Sequence, residues 1–194
     1  MITRLKVENF TAFDSLELEF GEGIQAFIGA NGTGKTHLLK YLYCLLEIAS
    51  ESRMNSYSAT NKIMNVFRAR DVKNFARNRE TPSSFLIEKD GDMLLSLSIE
   101  DGKFSVFNTF IEELKIRPTF IPVKDILENA RGFQALYNLR ETSFSEVYYD
   151  ILTRAYLLRL KNPNPNYKPL LEKIEEFIDG KVESRDEELT LRDR

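Results

Sequence analysis

The chain has 194 residues, 42% of them apolar including 14 Phe, and a formal net charge of −3. That length and apolar content suit one domain, with room for an inserted subdomain, and exclude global disorder. The slight acidic balance excludes nucleic-acid binding through bulk charge, and a single cysteine excludes an internal disulfide or a multi-thiolate zinc site.

In chain order, "RLKVENF" (4–10) and "SLELEF" (15–20) alternate apolar and polar residues, as half-buried strands do. The short link "TAFD" makes them an antiparallel pair, with Leu16, Leu18 and Phe20 on one face and Glu17 and Glu19 on the other. "GEG" (21–23) is a turn, and "IQAFI" (24–28) reads as a more deeply buried strand. From Lys35 the period becomes helical: Leu38, Leu42, Leu45, Leu46 and Ala49 predict a helix over 35–49. Cys44 lies in the apolar run "LLKYLYCLLEIA" and reads as a buried structural thiol.

Residues 50–82 carry Arg53, Lys62, Arg68, Arg70, Lys73, Arg77 and Arg79 against Glu51, Asp71 and Glu80. This modest basic insertion reads as a solvated face or a binding patch, with a short helix around 62–76 built on Ile63, Val66 and Phe67. From 83 to 109 three strand-like runs are separated by "DGD" and "DGK", and Asp-Gly is a strong hairpin signal. "TFIPV" (119–123) predicts a short buried strand ended by Pro122, with a helix from about 124. "SFSE" (143–146) is a capping box opening a helix, and "NPNPN" (162–166) breaks it from a last helix at about 168–178 that stops at Gly180. "KVESRDEELTLRDR" either closes as a hairpin or frays. The expected division is 1–123 as a nucleotide-binding lobe and 124–194 as a helical part. Charges in "MITRLKVENF" argue against a signal peptide, and no apolar run approaches 18 residues, so a cytoplasmic protein without a membrane contact is expected.

The chemistry is concentrated in "GANGTGKT" (29–36), which fits GxxxxGK[ST] with Gly29, Gly34, Lys35 and Thr36 in the fixed places. Burying a polyphosphate needs hydrogen-bond donors on every side. Backbone N–H groups of a tight glycine loop supply them, and the helix that follows adds its positive end. Lys35 places an ammonium on the β- and γ-phosphates and is the candidate catalytic residue, and the Thr36 hydroxyl is a candidate Mg²⁺ ligand. Ala30, Asn31, Gly32, Thr33 and His37 complete the expected ATP contacts. Phe10 and Phe13 are candidates for stacking on the base, with a core role equally open to both.

The form GxNGxGK[ST] after "ITRLKVENFTAFDSLELEF" resembles the head domain of ABC-type ATPases of the SMC/RecF-like and OLD-like group of AAA-family proteins. The resemblance is specific over residues 1–48 and weaker at "FIPVKDIL" (120–127). It implies an α/β P-loop fold, of which this chain would be the first lobe, with an antiparallel β layer and attached C-terminal helices. It also implies ATP and Mg²⁺ as cofactors, a second half or second head as partner, a homodimer in the complete protein, and DNA as a possible further partner.

Other family elements are missing from the sequence. The family's four apolar residues followed by Asp-Glu have no counterpart: "VYYDIL" (147–152) holds Asp150 in a helix, "LSIEDG" (97–102) lies at a hairpin and "IEEF" (174–177) is helical. The serine-glycine signature and a switch histidine are absent, and Gln25 and Gln134 are misplaced for the family's glutamine. The expectation is nucleotide affinity with little turnover by this chain alone. Two other readings are a regulatory module that binds nucleotide without catalysis and a small P-loop kinase, whose arginine-rich lid would be 50–82.

Overall fold

The computed structural model describes residues 2–51, 55–100, 102–108, 118–123, 132–139, 144–155, 168–185 and 188–193. Its first strand, β1 (Ile2–Phe10), pairs antiparallel with β2 (Phe13–Glu19) through the two-residue link Thr11–Ala12. The alternation behaves as the sequence requires: Leu16 and Leu18 are half-buried while Glu17 and Glu19 are exposed. Strands β3 (Ser83–Lys89), β4 (Asp92–Glu100) and β5 (Lys103–Asn108) form the expected meander. All five make one antiparallel sheet in the order β2-β1-β3-β4-β5. At the first Asp-Gly turn, Asp90 and Gly91 have φ of 55° and 92°. Two successive positive φ values match the right-handed twist of the flanking strands, which explains the dipeptide.

Helix α1 (Lys35–Ser50) and helix α2 (Ser56–Phe67) cover the sheet. The buried face of α1 is Leu38, Tyr41, Cys44, Leu45 and Ile48, with Tyr43 and Glu47 also buried. Leu42, Leu46 and Ala49, expected on that face, are half-buried. Helix α2 starts six residues earlier than the apolar pattern suggested, because Asn55 caps it by accepting a hydrogen bond from the Ser58 amide at 2.9 Å. It ends at Arg68, whose left-handed φ of 57° lets the Ala69 amide reach the Met64 carbonyl at 2.9 Å. Residues 72–74 form one 3₁₀ turn begun by the Asp71 carboxylate, which accepts from the Lys73 amide at 2.8 Å.

Between the sheet and these helices lies an aromatic core. Phe10 is fully buried, its ring centroid 4.1 Å from Tyr41, 4.1 Å from Phe85 and 5.4 Å from Phe75. Phe67 and Phe104 extend the cluster through Phe75. Burial pushes the Tyr41 phenol well above its ordinary range, so it is a neutral core group. Cys44 is fully buried, as the sequence suggested.

Two expected strands do not form. Residues 24–28 belong to no sheet, and Ile24 and Ile28 are 97% and 94% exposed. Residues 119–123 are likewise outside any sheet, with Ile121 and Val123 exposed. Apolar content alone set both expectations, but burying a strand needs neighbouring strands, and none of those described lies beside either segment.

The chain divides into two units, residues 1–120 and 121–194. In the second, helix α3 (Phe133–Asn138) packs on helix α4 (Glu146–Ala155) around Phe133 and Leu152, and Gln134 Nε2 donates to Thr153 Oγ1 at 3.0 Å. Asp150 is helical, as read from the sequence, and Gln134 is helical too. Helix α5 (Lys168–Phe177) leads into an antiparallel hairpin, β6 (Gly180–Arg185) with β7 (Glu188–Asp193). The turn out of α5 uses Asp179 at φ 50°, while Gly180 already belongs to β6. The helix expected from 124, Ser143 of the capping box, Arg53 and "NPNPN" lie outside the described residues. Among the described residues no helix is long and apolar enough to cross a membrane.

Candidate nucleotide site

Gly29–Thr36 runs from the exposed segment 24–28 directly into α1. Gly32 and Gly34 take φ of 83° and 92°, a conformation that side chains resist. Gly34 is the N-cap of α1, and no side chain among the described residues caps its start. The first-turn amides of Lys35, Thr36 and His37 therefore lack the partner that a Ser, Thr or Asp cap would supply. The helix proper starts when the Leu38 amide donates to the Gly34 carbonyl at 2.8 Å.

The Lys35 ammonium folds back over the loop. Its Nζ donates to the Gly29 carbonyl at 2.7 Å, to the Ala30 carbonyl, and to Thr33 Oγ1 at 3.4 Å. Thr33 Oγ1 in turn donates to the Ala30 carbonyl at 2.9 Å. A cation is thus held at the hollow of a glycine loop whose helix end is uncapped. That donor set fits a polyphosphate. Asn31, Thr36 and His37 are exposed on the same loop and first helical turn. Among the described residues, no group of three or more His, Cys, Asp or Glu converges as a metal site.

His37 stands edge-on to Phe67 at 5.5 Å, and partial burial, with Lys40 adding to it, lowers its pKa from the ordinary value. The neutral imidazole is favoured in the fold. The stability this contributes is fully present above the unfolded value, about 6.5, and is lost as pH falls through the lower folded value. His37→Gln is accordingly expected to flatten the fall in urea-unfolding stability below about pH 6.5. An unchanged pH profile would remove His37 from that account.

The two aromatic candidates separate. Phe10 is wholly inside the core, so it cannot stack on a base; the sequence could not tell a core Phe from an exposed one. Phe13 is half-buried and lies against the loop: a β-carbon on Gly34 would sit 2.8 Å from Phe13 Cζ and 2.9 Å from Ala12 Cβ. The β1–β2 turn therefore packs directly on the end of the phosphate loop, and Gly34 is needed for space as well as for φ.

Two further residues, remote in sequence from the loop, contribute to this arrangement. Asn9, with φ 51°, is buried and fastens the end of β1 to the loop before β3. Its Nδ2 donates to the carbonyls of Asn78 at 2.7 Å and Thr81 at 2.6 Å, and its Oδ1 accepts from the Asn78 amide at 2.7 Å. Arg77, counted in the basic insertion, sends Nη1 to the Ala12 carbonyl at 2.8 Å. The only sequence hint was the Asn-Phe ending of the first strand. Of the other basic residues, Arg68, Arg70, Lys73 and Arg79 are exposed, whereas Lys62 lies over the Tyr43 ring at 5.3 Å.

A family model described as an AAA ATPase domain matches residues 1–189. The chain belongs to this AAA ATPase domain family. Among the relatives of this AAA ATPase domain is the DNA replication and repair protein RecF of Mannheimia succiniciproducens. It is 32% identical over 109 residues, 52% of this chain and 28% of the relative. RecF of Cytophaga hutchinsonii is 48% identical over 44 residues, 23% of this chain and 12% of the relative. The DNA double-strand break repair Rad50 ATPase of Methanopyrus kandleri is 50% identical over 40 residues, 21% of this chain and 5% of that protein. The matches thus span less than a third of each relative. The ABC-type, SMC/RecF-like resemblance and the α/β P-loop fold agree with these findings, which place the AAA ATPase domain among nucleotide-using proteins.

Proposed function

We propose that residues 29–37 bind the phosphates of ATP, with Lys35 supplying charge and Thr36 the first protein ligand of Mg²⁺. The observation that carries this reading is the uncapped start of α1 beside the inward-turned Lys35 ammonium. Bound Mg²⁺ would neutralise charge on the β- and γ-phosphates. The chain's own part is to hold the phosphates with loop amides and to keep the lysine cation beside them. Gly29, Gly32 and Gly34 keep the backbone close, while Ala30, Asn31 and Thr33 contribute amides.

We further propose that residues 1–123 act as one lobe of a larger ATPase, with 124–194 as its attached part. Segment 24–28 supports this. Ile24 and Ile28 are almost fully exposed, and residues 22–28 make no backbone hydrogen bond to another described segment. An apolar segment of this kind suits the interior of a sheet completed by further strands, which would also bring the metal-holding carboxylate. On this reading the chain binds ATP but turns it over slowly by itself. ATP and ADP should both raise its melting temperature, with hydrolysis near background until a second lobe is supplied. Robust turnover by the purified chain, lost in Lys35→Ala, would contradict the one-lobe reading. Release of ADP only when nucleoside acceptors are added would favour a kinase instead. The names of the RecF and Rad50 relatives extend the proposal to work on DNA, with the exposed Arg68 and Arg70 as its contact points. Such binding should weaken steeply with salt.

A further inference from the structure

Arg77 is remote in sequence from the phosphate loop, yet one residue lies between them in space. Its Nη1 donates to the Ala12 carbonyl at 2.8 Å, and Ala12 with Phe13 fills the space beside Gly34. The turn it grips is strained. Asn9 and Thr11 have φ of 51° and 45°, and a β-branched residue such as Thr11 is rarely found there. Backbone strain of this kind persists only where the surroundings impose it. Here they do: the Thr11 amide donates to the Phe75 carbonyl at 2.7 Å, and Asn9 is fastened to residues 78–83 through side chain and backbone. The Arg77 amide itself donates to the Asn9 carbonyl at 3.3 Å, so its backbone is tied to the same strand end.

We infer that Arg77 is a positioning residue for the phosphate loop, pressing the Ala12–Phe13 turn against Gly34 so that the loop is held ready for a polyphosphate. The inference rests on the nucleotide-binding reading of 29–37. A charged donor on a carbonyl is among the stronger neutral-acceptor hydrogen bonds. Arg77 is exposed, so its side chain adds little to the apolar core, and its loss acts on the turn rather than on global stability.

The test compares wild type with Arg77→Met, which keeps the stem and removes the donor, and with Arg77→Lys, which keeps a cation able to reach one carbonyl. Lys103→Met serves as a control for charge alone, since Lys103 is exposed and makes no ion pair among the described residues. Titrations with ATP, ADP and inorganic pyrophosphate are read beside hydrogen–deuterium exchange of residues 11–13 and 29–36 without nucleotide. Arg77→Met is expected to weaken all three ligands about tenfold, the effect of one charge-assisted hydrogen bond, and to speed exchange in both segments. Arg77→Lys should stay within about threefold of wild type, and Lys103→Met should be unchanged. Equal affinity and equal exchange in wild type and Arg77→Met would overturn the inference while leaving the nucleotide site standing. Equal weakening by Lys103→Met would overturn it in favour of general charge. A wild type that binds none of the three ligands would remove both readings together.

Discussion

Phe10→Ala is expected to lower the unfolding free energy by about 3–5 kcal/mol. The ring is fully buried and touches Tyr41, Phe75 and Phe85, which belong to three separate parts of the chain. Removing it leaves a cavity where β1, α1 and β3 meet, and it forfeits two edge-to-face pairs as well as the transfer energy. Since a domain of this kind is stable by about 5–15 kcal/mol in total, the variant should be close to unfolding at 37 °C. Urea denaturation followed by circular dichroism checks it. A loss under about 1 kcal/mol would show that Phe10 is not the centre of the core.

Gly34→Ala should act on both stability and function. The residue has φ 92°, and an added β-carbon would meet Phe13 Cζ at 2.8 Å and Ala12 Cβ at 2.9 Å. The Phe13 ring can swing aside, but the Ala12 methyl is fixed to the backbone, so the turn itself must move. A left-handed Ala costs about 1–2 kcal/mol and the crowding about 1–3 more, for a total of about 2–5 kcal/mol. The movement also displaces the loop amides, so ATP-induced stabilisation should disappear even at temperatures where the variant is folded. Denaturation with and without MgATP separates the two effects. Retained ATP stabilisation would mean that the loop tolerates the shift and that Gly34 serves only the turn.

Local signals were readable from the sequence, and non-local ones were not. The three hairpins of the five-stranded sheet follow from Asp-Gly turns, short links and two-residue alternation, all of which act within ten residues. Helix α1 followed from its period, although its buried face is centred on Tyr41 and Cys44 rather than on Leu42 and Leu46. A leucine pattern gives no weight to tyrosines, and here Tyr41 carries the aromatic core. Helix α2 starts and ends earlier than its apolar pattern predicts, because its start is fixed by the Asn55 cap and its end by the left-handed Arg68. Segment 24–28 has the composition of a buried strand, yet burial depends on neighbours that composition does not reveal. The phosphate loop itself was legible residue by residue, since its chemistry is contiguous. The ties that brace it were not: Asn9 to Asn78 and Arg77 to Ala12 span 69 and 65 residues.

The most direct measurement is the affinity of the purified chain for MgATP, read by isothermal titration in parallel with Lys35→Ala. The lysine folds its cation over the loop, and a charge-assisted contact of this type is worth about 1.5–3 kcal/mol. Wild type should bind one nucleotide per chain, and Lys35→Ala should bind about ten- to a hundredfold more weakly while unfolding at the same urea concentration as wild type. No heat of binding from wild type, or equal affinities for the two proteins, would contradict the account of residues 29–37 as the nucleotide site.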